Sequence, residues 1–441
     1  MPDTEQARIR EAALPLTDPG SLDPLLDRIG DVRYVLLGEA SHGTADYYRL
    51  RGTLTRRLIE EKGFSCVAVE GDWPDRHAVH CSVVAAPGAP EDPGGVLAGF
   101  RRRPTWMWGN TEVTAFIRWL RRHNEGLPPK RRVGFLGLDV YSLWDSLHAV
   151  LAHLREHDPE RVGPALDAYR CFEPYAEDPQ SWAPATRYVP RGCEPEVLSL
   201  LTEARPARTA SPDGSLTEFA ARQHAEVLAG AERYYRAMPG GGPDSWNLRD
   251  RHMADTLDRL MEHCGPGAKA VVWGHNTHVG DARATDMADI GEINVGQLVR
   301  ERHMGAGVAL FGFGSYTGTV IAADAWGHEP RVMEVPPART GSLEDLLHTA
   351  LPGERALFVF PPVQFQRPPA TGRRAWFHEE RGHRAIRVVC QPRYERVGSY
   401  VPTVLAERYD AFCYLDRTRA VTPLRPTAAA GPEEETRPVG V

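Results

Sequence analysis

The chain has few cysteines, and none of them forms a recognisable cysteine motif. The seven stand at positions 66, 81, 171, 193, 264, 390 and 413. An odd number without any CxxC spacing argues against a disulfide framework and against a thiolate zinc site. We therefore predict that these residues are small core side chains or thiols without a chemical role.

Long apolar runs and an excess of basic charge are missing as well. No window reaches the ~18 uncharged apolar residues of a membrane-spanning helix, and the first residues do not read as a basic segment followed by an apolar one. The net charge is −7 at pH 7, with both signs interspersed. From the missing span and leader pattern we expect a cytoplasmic protein that does not bind a membrane. Because no basic face indicates nucleic acid, we expect no nucleic-acid partner.

The motifs of several enzyme classes are also absent. The stretch nearest to a GxSxG nucleophile elbow is GFSCV at 63–67, which lacks the second glycine. The sequence contains no P-loop, GxGxxG or HExxH motif. A nucleophilic serine of the usual hydrolase kind is therefore disfavoured, and direct attack by an activated water is favoured.

Short apolar runs recur along the 441 residues, most of them separated by helix-sized segments. They are unalternating and four to six residues long, which is typical of buried parallel strands. We predict an α/β protein with a parallel or mixed central sheet flanked by helices. The runs are 34–37, 66–69, 133–138, 270–273, 308–311, 356–360 and 386–389.

Strand signals nearly vanish between residue 142 and about residue 263, where amphipathic helical patterns replace them. This indicates an inserted helical region. Elsewhere Asn110 is placed to cap a helix, and Gly63 to end one. We predict one large α/β catalytic domain over 1–421, and a polar, Pro-rich, acidic tail over 422–441 that is disordered.

Polar side chains follow four of the predicted strands, at the point where each strand ends. They are Glu39 and His42, Glu70, Asp139, and His275 with His278. In open α/β sheets, ligands bind outside the carboxyl ends of the strands. We therefore expect these side chains to converge at one edge of the sheet.

A catalytic role can be argued for several of these residues. His42 lies in a tight turn before a helix and could act as a general base that deprotonates water. Glu39 or Glu70 could orient its ring, and the sequence leaves open which one does. Arg51, two turns into the helix, and His275 could stabilise an oxyanion.

Other residues are candidates for substrate binding. Asn276 and His278 belong to WGHNTHVG, and Asp139 ends a strand, but for each of these three a structural role has equal weight. Trp106 and Trp108, in RRRPTWMWGN, form either a lid over an apolar substrate or a packed loop. RDRHMADTL at 249–257 is interpreted as a charged helix face rather than as a source of cleft residues.

Zinc is the alternative to a metal-free site. HAVH at 77–80 and HNTH at 275–278 both place histidines three positions apart. Together with the acids and His42 they could supply three or four ligands. The spacing is weak evidence, and we expect no cofactor.

The sequence resembles the erythromycin esterase-like family over nearly its whole length. The segments that carry the resemblance are LDPLLDRIGDVRYVLLGEASHGT, VAVEGDWPD, PTWMWGNTEV, VGFLGLDVYSL, SWNLRDRHMADTL, VVWGHNTHVGDAR, INVGQLVRE and YDAFCYLDRT. The resemblance implies a metal-independent hydrolase, built on an α/β sheet with helical additions, that opens a macrolide lactone with a water-activating histidine.

Matched by motif, the family's catalytic histidine falls on His42 and its neighbouring carboxylate on Glu39. Its helix arginine falls on Arg51, its second carboxylate on Glu70, and its late histidine pair on His275 and His278. Where members commonly carry Glu in the helix after HGT, this chain has the shorter Asp46, a candidate for substrate binding.

We therefore predict an esterase or lactone hydrolase that acts on a small-molecule ester or macrolactone. A tailoring enzyme of natural-product biosynthesis could use the same cleft for acyl transfer, cyclisation or elimination. A protein that binds a metal or a small molecule without catalysis is the third hypothesis.

Overall fold

A computed structural model describes residues 5–101, 104–172, 193, 195–197, 216–325, 328–361 and 375–425. Within these residues a nine-stranded, mostly parallel sheet is flanked by helices. The predicted α/β architecture with a mixed central sheet is confirmed. No helix in this part of the chain combines the length and the apolar character needed to cross a membrane.

The elements are numbered in chain order. The strands are β1 (Leu14–Pro15), β2 (Tyr34–Leu37), β3 (Cys66–Asp72), β4 (Gly134–Asp139), β5 (Ala270–Trp273), β6 (Val308–Ala322), β7 (Arg331–Val335), β8 (Arg355–Val359), β9 (Glu380–Arg384), β10 (Tyr400–Val404) and β11 (Ala411–Thr418). The helices are α1 (Glu5–Ala12), α2 (Asp23–Ile29), α3 (Ala45–Lys62), α4 (Trp73–Val83), α5 (Pro93–Ala98), α6 (Thr111–Glu125), α7 (Leu143–His157), α8 (Val162–Phe172), α9 (Leu216–Ala237), α10 (Asp244–Cys264), α11 (Asn276–Val279), α12 (Val295–His303), α13 (Leu343–Ala350), α14 (Glu395–Gly398) and α15 (Leu405–Arg408).

The strand order of the large sheet is β1-β8-β11-β6-β2-β5-β3-β4, and β7 pairs with β6. The six strands from β11 to β4 are parallel, while β8, β1 and β7 join antiparallel. Helices cover both faces, so strands such as β2 and β5 are buried at every residue. Burial on both faces explains why these strands are unbroken apolar runs rather than alternating patterns.

The predicted strands at 34–37 and 270–273 match β2 and β5 residue for residue. The run at 386–389 was wrongly predicted as a strand. It makes only isolated bridges, from Ile386 to Ser41 and from Val389 to Ala323. Ile386 packs with Val320 of β6 and Met333 of β7, and Val388 packs against the main hydrophobic core. Local hydrophobicity cannot distinguish such a segment from a strand.

The predicted helix signals are present in the structure. The side chain of Asn110 accepts a hydrogen bond from the Val113 backbone N–H at 2.8 Å, and α3 ends at Gly63 with a left-handed φ of 70°. Over the described residues between 142 and 263 the chain forms α7 to α10 and no strand. Helices α7, α8 and α9 share a hydrophobic cluster, while α10 packs against the sheet.

Two cysteines contradict the prediction that all seven are unpaired. Cys171, at the end of α8, is disulfide-bonded to Cys193. Cysteine spacing alone could not reveal this pair, because the helical insertion brings the two residues to a Cα–Cα distance of 5.8 Å. Cys66, Cys390 and Cys413 are buried thiols, as predicted.

The first residues of the predicted tail are bonded to the body of the protein. The carbonyl of Thr422 accepts a hydrogen bond from the Thr111 N–H at 3.0 Å. The Leu424 N–H donates to the Gly109 carbonyl at 2.8 Å. The rest of the predicted tail, 426–441, lies outside the described residues.

Candidate active site

A cavity of about 430 Å³ lies at the carboxyl edge of the parallel strands. His42, Glu70, Asp139, His275 and His278 all line it. They come from the ends of β2, β3, β4 and β5, which are neighbours in the sheet although more than two hundred positions separate them in the chain. The structure therefore brings together the strand-end residues that the sequence placed at one edge.

The loop that carries His42 connects β2 to α3 and is held closely on both sides. Gly38 and Gly43 lie so near to neighbouring chain that a Cβ atom on either would collide, with Asn276 at Gly38 and with the Ile321 carbonyl at Gly43. The Ile386 N–H also donates to the Ala40 carbonyl, at 2.8 Å. These contacts fix the position of the backbone that carries the His42 side chain.

His42 is hydrogen-bonded to a buried carboxylate. Its Nδ1 lies 2.8 Å from Oε1 of Glu39. An ionised carboxylate only accepts hydrogen bonds, so the Nδ1 proton is the donor, and Nε2 of the neutral ring keeps a lone pair. Glu39 is therefore the glutamate that orients His42, which settles the choice that the sequence left open.

Arg51 lies behind this pair rather than in the cavity. Its Nη2 donates to Oε2 of Glu39 at 2.5 Å, and its guanidinium lies over the rings of Tyr48 and Trp273, at 4.5 and 5.1 Å from the ring centroids. The side chain is fully buried and does not line the cavity. Contrary to the expectation, Arg51 therefore does not reach the place of a substrate oxyanion and instead binds Glu39.

Glu70 has different partners from Glu39. Its Oε2 accepts a hydrogen bond from the His275 backbone N–H at 2.7 Å, and its Oε1 accepts one from Nη2 of Arg249 at 2.9 Å. Burial alone would raise the pKa of this carboxyl. Electrostatic interactions with His278, His42 and Arg249, together with the hydrogen bond from the His275 N–H, outweigh the burial and hold the pKa well below its ordinary value, so Glu70 is an anion.

His275 presents an unused hydrogen-bond donor. The residue caps the short helix α11, where its Nδ1 accepts from the Thr277 N–H at 3.3 Å and contacts the Thr277 hydroxyl at 2.8 Å. The remaining ring proton is therefore on Nε2, which is buried and has no hydrogen-bond partner among the described residues. Burial, followed by the neighbouring His42, holds the pKa of His275 well below its ordinary value, so the ring is neutral.

Arg249 contradicts the interpretation of residues 249–257 as a solvated helix face. From α10 it reaches the cavity and binds Asp139 with two hydrogen bonds, of 2.9 and 2.7 Å. Its Nη1 donates to Nε2 of His278 at 2.9 Å, so that nitrogen is unprotonated and Nδ1–H of His278 donates to Asp250 at 2.9 Å. Arg249 therefore binds Asp139 and Glu70 with a single positive charge.

Several cavity residues were not predicted from the sequence. They include Arg76, Tyr141, Trp246 and Arg387. Trp246 stacks on the His278 ring at 4.5 Å between centroids, and its position one turn before Arg249 on α10 would have been a usable signal. Arg76 follows Glu70 by six residues, on the first turns of α4, which is a second such signal.

Three predicted substrate-binding residues lie outside the cavity. Asp46 binds Arg355 at 3.0 Å and the Arg419 backbone N–H at 2.8 Å. The Asn276 side chain donates to the Phe313 carbonyl at 2.7 Å and is fully buried. Trp106 is part of the hydrophobic core, whereas Trp108 does line the cavity.

The two histidine pairs that motivated the zinc alternative do not lie at one site. His77 stacks on Trp73, and Nδ1 of His80 accepts from the Phe135 N–H at 3.3 Å. Neither histidine lines the cavity with His275 and His278. In the described ranges no three or more His, Cys, Asp or Glu residues are grouped in a way that could hold a metal ion.

The fold and the site define an α/β protein in which a buried histidine–carboxylate pair faces a cavity at the sheet edge. The erythromycin esterase family model matches residues 59–418. The chain belongs to the erythromycin esterase family.

Curated relatives are distant. The chain is 24% identical over 272 residues to an erythromycin esterase type II of Escherichia coli, a match that covers 58% of this chain and only 62% of that protein. It is 22% identical over 335 residues to the putative hydrolase YbfO of Bacillus subtilis strain 168, covering 72% of each.

Solved structures share the fold at low sequence identity. A succinoglycan biosynthesis protein is 19% identical with a TM-score of 0.75, covering 96% of this chain and 98% of that one. The erythromycin esterase mutant EreC in its open conformation is 16% identical with a TM-score of 0.64, covering 91% and 95%. At these identities the likeness establishes the fold alone.

Proposed function

We propose that this protein is an esterase-type hydrolase in which His42 activates a water molecule for attack on an ester or lactone carbonyl. The observation that carries the proposal is the position of two neighbouring histidines in the cavity wall. The rings of His42 and His275 lie 5.0 Å apart between centroids, one with a free acceptor nitrogen and one with a free N–H. A general base and an oxyanion donor need that complementarity.

In the first step Nε2 of His42 takes a proton from water, and the oxygen of that water bonds to the carbonyl carbon. The imidazolium that forms is stabilised by Glu39, whose own charge is balanced by Arg51. The carbonyl oxygen becomes an oxyanion that accepts a hydrogen bond from Nε2–H of His275.

In the second step the tetrahedral intermediate collapses and the bond between the acyl carbon and the alcohol oxygen breaks. The His42 imidazolium returns its proton to the leaving oxygen, which gives an acid and an alcohol. Glu70 takes no proton in this scheme, because a carboxylate whose pKa lies well below its ordinary value is a weak base. Its role is to fix the backbone of His275 and to neutralise Arg249.

Family membership and the name of the E. coli relative support ester or lactone substrates, including macrolides. The cavity has the volume of ordinary small-molecule sites, about 300–1,000 Å³. Its walls include Pro104, Met107, Trp108 and Trp246, which suit an apolar portion of such a substrate.

The test is hydrolysis of a panel of macrolides, other lactones and simple esters in ¹⁸O-labelled water. The expected result is one heavy oxygen in the acid product and a loss of roughly 10²–10⁴ in turnover for His42→Ala with the fold intact. The matched control is His157→Ala, which removes an exposed histidine at the end of α7 that does not line the cavity. A product without the heavy oxygen would contradict hydrolysis and would support acyl transfer, cyclisation or elimination instead.

No metal takes part in the proposed chemistry. Activity that survives chelator treatment, in protein free of metal by elemental analysis, is the expected result. Stoichiometric zinc whose removal abolishes turnover and lowers the melting temperature would contradict it.

A further inference from the structure

Two buried arginines line the cavity in contrasting states. Arg249 uses its guanidinium fully: it donates to Asp139, Glu70 and His278 through four hydrogen bonds. Arg76 is equally enclosed, with 6% of its surface exposed. Within the part of the chain that the structure describes, its only ion pair is to the adjacent Asp75, at 3.3 Å.

The Arg76 guanidinium is held by aromatic rings instead of by acids. It lies over the Phe100 and Trp108 rings, at 4.7 and 5.2 Å from their centroids. Its Nε is buried and has no hydrogen-bond partner among the described residues. On its other side it lies against Gly71, where a Cβ would come within 2.6 Å of Nε, so the absence of a side chain there makes room for the charge.

A cation in this position is incompletely compensated. Burial lowers the pKa of Arg76, and the nearby acids Asp75, Asp72 and Asp139 offset that burial only in part. Asp139 is engaged by Arg249, and Oδ1 of Asp72 accepts from the Tyr141 backbone N–H at 3.1 Å. Holding a guanidinium out of water without a matched acid costs free energy, which an anionic ligand would recover.

We propose that Arg76 forms a carboxylate-binding subsite, and that the substrate is an ester which carries a free carboxylate. The guanidinium would bind that carboxylate while the ester carbonyl lies against the Nε2 atoms of His42 and His275. Trp108 and Met107, which line the cavity, would contact the carbon chain between the two groups. The inference rests on the proposed function for the position of the reacting ester, but the carboxylate contact does not depend on the chemistry.

Two phenyl esters of equal chain length test the subsite: phenyl hydrogen glutarate, which ends in a carboxylate, and phenyl pentanoate, which ends in a methyl group. The wild-type protein should favour the acidic ester by roughly 10- to 100-fold in kcat/KM, mainly through KM, since hydrogen bonds to charged groups are worth about that factor. Arg76→Met, which keeps an apolar side chain between the rings, should remove the preference. Arg76→Lys should keep part of it, and in both variants the acidic ester should lose more kcat/KM than the neutral ester.

Binding is measured separately by titrating glutarate into the wild-type protein and into its Arg76→Met and Arg118→Gln variants. Arg118 is an exposed arginine paired with Asp92 and serves as the matched control. Weaker glutarate binding in Arg76→Met alone supports the subsite.

Glutarate binding that is absent, or equal in all three proteins, overturns the subsite, as does an equal loss of both esters in a folded Arg76→Met protein. If neither ester is hydrolysed by the wild-type protein, the proposed function fails for these esters, while the titration still decides the subsite. Thermal unfolding identifies a variant that does not fold. If Arg76→Met does not fold, the preference of the wild-type and Arg76→Lys proteins for the acidic ester decides whether the subsite exists.

Discussion

The imidazole rings of His42 and His275 lie 5.0 Å apart between centroids in the same cavity, yet one ring bonds to an acceptor and the other to a donor. His42 donates to the carboxylate of Glu39 through Nδ1–H, so its Nε2 keeps a lone pair. His275 accepts from Thr277 and is kept neutral by burial. One ring can therefore gain a proton while its neighbour can only donate a hydrogen bond.

The first prediction concerns this division of labour. His275→Ala should lower kcat by roughly 10²–10³ with little change in KM, because it removes a donor used in the transition state. Steady-state kinetics on the best substrate of the ester panel would measure it. Thr277→Val, which leaves the ring but removes the hydroxyl beside Nδ1, should have a smaller effect. Unchanged kcat in His275→Ala would exclude the oxyanion role.

Arg51 is predicted to matter for stability as well as for activity. Arg51→Met leaves the buried Glu39 carboxylate without its cation, which should lower the free energy of unfolding by about 3–5 kcal/mol. Urea unfolding would measure the loss. In the double variant Glu39→Gln/Arg51→Met the unpaired charge is gone, so the loss should be smaller than in Arg51→Met. An additive loss would contradict the coupling.

Two glycines near each other in the chain should respond in opposite ways to alanine. Gly43→Ala places a Cβ against the Ile321 carbonyl, so the loop that carries His42 must move, and both stability and turnover should fall. Gly52 lies inside α3, and a Cβ there meets Phe116 at an ordinary 3.7 Å. Gly52→Ala should raise the free energy of unfolding by about 0.5–1 kcal/mol. Thermal and urea unfolding of both variants would check the contrast.

Acid is predicted to destabilise the protein through buried histidines. Burial lowers the pKa of His77 to about 4, and that of His80 and His224 to about 3, from 6.5. The unfolded chain binds these protons first, so the stabilisation is complete above about pH 6.5 and is lost as the pH falls toward 4. Each histidine should contribute a slope of about 1.4 kcal/mol per pH unit.

Urea unfolding at pH 7.5, 6 and 5 would measure that slope. His80→Asn keeps an acceptor for the Phe135 N–H but cannot bind the proton, so its stability should fall less steeply than that of the wild-type protein. Parallel pH profiles for the two proteins would show that His80 does not titrate in this way.

Much of the sheet could be predicted because burial on both faces leaves a mark in the sequence. Strands such as β2 and β5 are unbroken apolar runs, and their bounds follow from composition. The segment 386–389 has the same composition but packs beside a loop instead of joining a sheet. Hydrophobicity indicates only that a segment is buried. Whether the segment joins a sheet depends on a neighbouring strand, which comes from a distant part of the chain.

The chain sequence by itself determined the core of the candidate site, because Glu39, His42 and Arg51 lie within 13 positions and a strand–turn–helix unit brings them together. The parallel direction of the predicted strands also indicated that Glu70 and His275 would lie at the same edge of the sheet. These relationships follow from local connectivity and from the direction of the strands.

Only the tertiary structure decided which side chains face the cavity. Arg249 and Arg76 reach it from α10 and α4, while Asp46 and Asn276, next to the predicted catalytic residues in the chain, are bonded elsewhere. The direction of each side chain depends on how its helix or turn packs against distant segments. Charge shows that a residue needs a partner, but the fold determines whether that partner is a neighbouring residue, water or a ligand.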